Sequence, residues 1–146
     1  MTTTYNLERF VHAQDSAGTY GQALSELQLG RKRGHWMWFV FPQLAGLGSS
    51  PTAVKYAIGS LAEAQAYLNH DVLGPRLLEC SMAVSTHTGR SAVDILGGID
   101  AKKLRSSMTL FLRAAPGETV FKTVLAQFFD GEPDPATDEL LAAGRD

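Results

Sequence analysis

Cysteine is almost missing from this chain: Cys80 stands alone, so no disulfide can close within it, and a reducing compartment such as the cytoplasm suits it. A dominant charge is missing too. A net charge of -2 gives no overall attraction to nucleic acid or to anionic lipid, so nucleic acid is a weak choice of partner. No apolar run approaches the ~20 residues that span a bilayer, and Met1-Thr2-Thr3-Thr4-Tyr5-Asn6 has neither the basic start nor the apolar stretch of a signal peptide. No membrane partner is expected. The histidines His12, His35, His70 and His87 form no His-x-x-x-His or Glu-x-x-His pair, so neither a metal nor a cofactor is expected. Gly-x-Ser-x-Gly, Walker and dinucleotide fingerprints are also missing. The acids Glu8, Asp15, Glu26, Asp94 and Asp100 have no spacing that marks a catalytic pair.

What is present is an ordinary globular composition, 45% hydrophobic and 19% charged over 146 residues. That length fits one domain, 1–146, with residues 1–5 and 143–146 expected to fray. Helix starts and stops recur along it. Asn6 is placed to cap a helix from Leu7, and Thr19 with Gln22 has capping-box spacing. Ser50-Pro51 is a cap followed by a favoured first-turn proline, and Ser60 with Glu63 is a second box. Pro75, Ser91 with Asp94, Asp100, Glu118-Thr119 and Asp134-Pro135 mark further starts. No fixed period repeats, and no linker divides the chain. The fold class is all-α: a compact multihelical single domain with one buried aromatic segment, read as partly extended.

That segment is the centre of the sequence. Gly30-Arg31-Lys32-Arg33-Gly34-His35 leads straight into Trp36-Met37-Trp38-Phe39-Val40-Phe41-Pro42, seven residues without a charged side chain. Apolar on every side, the run has no period to separate strand from helical turn, and Pro42 argues against a central strand. In an extended segment Trp36 and Trp38 would point to one side. Trp38 and Phe41 are expected in the core, since aromatics of this size dominate what they pack into.

The run GRKRGHWMWFVFPQL, the following GLGSS, the upstream LERFVHAQ and the downstream SSMTLF resemble the bacterial domain-of-unknown-function family 1810, over about Tyr5 to Leu141. The resemblance implies a compact, mainly helical fold and no established activity.

The residues themselves offer one anion site. Arg31, Lys32 and Arg33 precede a glycine-rich turn whose Gly48, Ser49 and Ser50 open a helix, and backbone N–H groups beside guanidinium or ammonium are how phosphates are held. Trp36 is a candidate stacking surface, and Arg105, in the second basic stretch, a candidate to complete the pocket. His35 is the candidate general acid–base. The expectation is a phosphorylated or nucleotide-like small molecule, with hydrolase or transferase chemistry on a nucleotide or ADP-ribose adduct as its enzymatic form. The alternative is a non-catalytic module whose basic loop meets an acidic protein partner.

Overall fold

The computed structural model describes residues 5–144 and is helical throughout, without strands among those residues. In chain order the helices are α1 (Glu8–Asp15), α2 (Thr19–Leu29), α3 (Met37–Val40), α4 (Pro51–Lys55), α5 (Leu61–Asn69), α6 (Leu73–Ser85), α7 (Ala92–Leu96), α8 (Gly98–Ala114), α9 (Thr119–Phe129) and α10 (Pro135–Gly144). A 3-10 turn at Ser16–Gly18 separates α1 from α2. Of the residues expected to fray, 1–4 and 145–146 lie outside the described part. Tyr5 is held by Arg9, whose guanidinium donates to its carbonyl, and residues 143 and 144 belong to α10.

Helix α8 is the axis. From Ser106 to Phe111 it is buried on every side, which a helix tolerates only when neighbours surround it, and α5, α7, α9 and α10 pack on it. Helix α6 joins α2, α5 and α9 around the other half of the core. A row of rings crosses the interior: Phe10 against Tyr67 at 5.1 Å, Tyr67 against Phe111 at 5.3 Å, Phe111 against Phe121 at 5.9 Å. It ties α1, α5, α8 and α9 together. Helices α5 and α6 approach so closely that a Cβ on Gly74 would lie 2.1 Å from the Leu68 carbonyl oxygen, so that junction admits only glycine. Cys80, in α6, is buried, and burial pushes its thiol up to about 12.

The caps divide into those the sequence foretells and those it does not. Ser50 and Ser60 each accept the third N–H of their helix, from Ala53 and Glu63, at 3.1 Å. Ser91 and Asp94 form a reciprocal box, and Asp134 accepts the Thr137 N–H at the start of α10. Ser50→Ala and Ser60→Ala are each expected to cost about 1 kcal/mol, measured by urea unfolding; wild-type stability in either variant would show that cap to be redundant. The other starts differ. Asn6 does not cap α1: it takes a left-handed φ of 49° and Leu7 occupies the cap position. Thr19 lies within α2 and donates its hydroxyl to the Ser16 carbonyl, while Gly18 stands at the cap. Asp100 is inside α8, which starts two residues earlier at Gly98.

The aromatic run is one helical turn, Met37–Val40, and extended character is confined to its exit, where Phe41 has ψ 74° and Leu44 bridges Ile58. The turn separates the two indoles. Trp36 is 1% exposed, whereas Trp38 is only half-buried. They do not share a side.

Candidate functional site: a basic loop wrapped around Glu26

The loop 30–36 is built on a buried carboxylate. Helix α2 ends at Gly30, whose φ of +76° turns the chain back so that the Arg31 N–H reaches the Glu26 carbonyl at 3.0 Å. That conformation suits glycine alone, and any Cβ there would also strike His87 and Arg90. Glu26 Oε1 then accepts three N–H groups, Arg33 at 2.8 Å, Gly34 at 2.9 Å and the Trp36 indole at 2.9 Å, while Oε2 accepts Gln22 at 2.9 Å. Burial pushes this carboxyl up, but the bonds from Gly34, Arg33, Gln22 and Trp36 outweigh it and hold the group at about 2. A carboxylate that accepts several N–H bonds stays charged for this reason.

The loop is also pinned from outside. The Lys32 N–H donates to the Ile95 carbonyl at 2.9 Å, Arg90 donates to the Gly30 carbonyl at 2.8 Å, and His87 Nε2 lies 2.6 Å from the Leu27 carbonyl. The backbone that carries the cations is therefore rigid.

The side chains of the expected site residues have different fates. Lys32 is largely buried: its ammonium lies 2.9 Å from Asp100 Oδ2, donates to the Gly34 carbonyl and sits 4.9 Å over the Trp36 ring. Asp100 Oδ1 is 3.6 Å from Lys103, whose ammonium lies 4.6 Å over the Trp38 ring. Arg31, Arg33 and His35 are exposed, and among the described residues their side chains make no hydrogen bond or ion pair. Trp36 offers no stacking surface, because its ring is enclosed and its N–H is held by Glu26.

The glycine turn and the second basic stretch do not join this corner. Gly46 abuts Leu140 of α10, Gly48 abuts Ala53, and Ser50 spends its hydroxyl on capping a five-residue helix. Ser49 is exposed beside them. Arg105 donates to the carbonyls of Glu132 and Pro133 at 3.0 Å, fastening the segment before α10. Ser106, on the same face as Lys102, bonds Asp134 at 3.1 Å for the same purpose. These residues pack on α4 and α10, whereas the loop packs on α2, α7 and the start of α8. Physical necessity explains the difference: the helix-end groups satisfy their own neighbours first.

Sequence reasoning passed over Glu26 and Asp100 as members of the site, and placed Lys103 only within the second basic stretch offered to complete the pocket. The Asp100–Lys103 spacing on one helix face was a weak local signal, and so was Gln22–Glu26. The link from Lys32 to Asp100 leaves no trace in the sequence.

Comparison with curated proteins finds no match. Among solved structures, the chain is similar to the conserved hypothetical protein Rv1873 from Mycobacterium tuberculosis, with 56% identity, 96% of this chain and 99% of that one covered, and a TM-score of 0.92. The model of the protein of unknown function family DUF1810 matches residues 4–141. With nearly its whole length matched, the chain belongs to the DUF1810 family.

Proposed function

We propose that this protein binds a phosphorylated or nucleotide-like small molecule at the corner where loop 30–36 meets the first turns of α8. One observation supports this above the others: Lys32 and Lys103 converge on a single carboxylate, Asp100, and all three are largely withdrawn from water. The two ammonium groups thus share one carboxylate, and the other carboxylate of the corner, Glu26, is taken up by N–H groups of the loop. Lys103, 3.6 Å from Asp100, is the more loosely held of the two ammonium groups, beside the half-buried Trp38 ring. A loosely held, largely buried ammonium has donors to spare, and an anion is the natural fourth member of the group. Arg31 and Arg33 stand outside it as steering charges, and His35 is the group there able to move a proton. Hydrolysis or transfer on a nucleotide or ADP-ribose adduct is the enzymatic form of this reading, and the cytoplasm is its proposed setting. No helix among the described residues is long and apolar enough to cross a membrane.

A second reading rests on a different observation. Leu29 and Ile99 are 75% and 76% exposed, and each adjoins the corner, Leu29 next to Gly30 and Ile99 next to Asp100. With Arg31, Arg33 and Lys102 this makes an apolar and cationic surface suited to an acidic protein partner.

Calorimetric titration separates the two. Inorganic phosphate, AMP, ADP-ribose and poly-glutamate are titrated into wild type, Lys103→Gln and Arg33→Gln. A nucleotide ligand is expected to bind and to lose about tenfold in affinity, roughly 1.4 kcal/mol, in Lys103→Gln without a fall in melting temperature. Binding of poly-glutamate alone, lost in Arg33→Gln, would replace this reading with the second. Binding of neither would end both.

A further inference from the structure

We infer a second, separate ligand site along the exposed face of α1. A cleft of about 470 Å³ runs between α1 and the end of α4, lined by Glu8, His12, Ala13 and Ser16 on one side and by Lys55 and Tyr56 on the other. Its volume lies within the range of small-molecule pockets. None of its lining residues belongs to loop 30–36, and it owes nothing to the function proposed above.

The cleft has a reason to exist. Residues 9, 12 and 13 share one face of α1 by their spacing, Ser16 follows at its C-terminal cap, and Ala13 and Ser16 are too small to fill the space in front of them. The opposite wall is fixed. Arg9 donates to the carbonyls of Lys55 at 2.8 Å and Ala57 at 2.7 Å and pairs with Glu63 at 3.0 Å. Tyr56 is wedged against Phe10 at 5.9 Å and Phe39 at 5.3 Å. Arg9 and Phe10 belong to α1, so these contacts set the spacing between the helix and the wall.

The lining selects a class of ligand. Among the described residues the His12 ring, the Lys55 ammonium and the hydroxyls of Ser16 and Tyr56 make no hydrogen bond or ion pair, and Lys55 lies 5.3 Å over the Tyr56 ring. Of the two acids nearby, Glu63 takes Arg9 and the Gly59 N–H at 2.9 Å, while Glu8, mostly exposed at the α1 end of the cleft, accepts from His70 Nε2 at 3.2 Å. Arg9 in turn is consumed by carbonyls and Glu63. Among the described residues, what faces the cleft besides Glu8 is the Lys55 ammonium, donors able to turn toward an anion, and the Tyr56 ring together with the Ala13 methyl. That set fits a small organic anion, a carboxylate or phosphate monoester on a flat body. The head would meet Lys55, Ser16 and His12, and the body would lie between Tyr56 and Ala13.

The test is a two-dimensional NMR titration of the full chain with phenyl phosphate, benzoate and inorganic phosphate. The expected result is that resonances of Lys55, Tyr56, Ala13 and Ser16 move with phenyl phosphate or benzoate and respond less to inorganic phosphate, which has no body to pack. Preference between phenyl phosphate and benzoate identifies the head group. Lys55→Gln is expected to weaken binding about tenfold, and Ala13→Phe, which fills the cleft from a partly buried position of α1, to abolish it. Both are checked for a wild-type melting transition, and His12→Gln serves as the milder variant should Ala13→Phe perturb α1. Lys103→Gln is expected to leave the titration unchanged, so this site and the loop 30–36 corner stand or fall apart. Absence of shifts at ligand concentrations of about 10 mM, weaker than the millimolar affinity that any useful site would show, overturns the proposal. So do shifts that persist in both Lys55→Gln and Ala13→Phe.

Discussion

Phe41→Ala is expected to lower stability by about 3–5 kcal/mol, the cost of emptying a large aromatic site in a packed core. Its ring is fully buried and faces Trp36 at 6.5 Å, and it leaves the α3 turn at the point where the chain becomes extended toward the Leu44–Ile58 bridge. Trp38→Ala, by contrast, is expected to cost clearly less, because the ring is only half-buried and the Lys103 ammonium lies over one face. Urea unfolding of both variants checks the pair. Equal losses would mean that Trp38 is as much a part of the core as Phe41.

Glu26→Ala is the second large effect, expected at roughly 2–4 kcal/mol. Three N–H donors share Oε1 and would lose it together; each buried donor left without an acceptor costs about 1–3 kcal/mol, and water reaching the loop recovers part of that. The pH dependence carries a separate signature. The folded carboxyl titrates at about 2, below its ordinary 4.5. The unfolded chain therefore binds the proton first, and stability rises with pH between those values. The contribution is complete above about pH 4.5 and is lost as pH falls through about 2. Glu26→Gln keeps an acceptor but removes the charge, so its stability is expected to be flatter across that acid range. Unfolding free energies from pH 2 to 6 for wild type and Glu26→Gln decide the matter. Parallel curves would show that Glu26 is not the charged anchor of the loop.

Much of the helical architecture was legible because its signals are local. Ser50-Pro51, Ser60 with Glu63, Ser91 with Asp94, and Asp134-Pro135 each act within one turn, and each caps where its spacing says. The misplacements occurred where a local group had a distant alternative. Asp100 looks like a cap, but Gly97, with a φ of +90°, lets α7 pass directly into α8, and the carboxylate is left to meet Lys32. The α3 turn could not be read because an all-apolar run has no period. The proposed corner was legible in its cations and not in its charge balance. Which of Lys32, Arg33 and Arg105 is already engaged depends on Asp100 and on the carbonyls of Glu132 and Pro133, and no sequence spacing encodes those meetings.

The buried thiol of Cys80 gives the protein an internal clock for its own opening. Thiolate is the reactive form of cysteine, and a thiol both shut away from solvent and held near 12 offers almost none of it while α6 stays packed against its neighbours. An alkylating reagent can then reach Cys80 only in the moments when α6 separates from the core, so the labelling rate counts those moments directly. Because the chain has no other cysteine, the signal comes from one place and needs no engineered label. Ligand occupancy at either proposed site can be followed by how far it slows that clock, without any assay for a reaction.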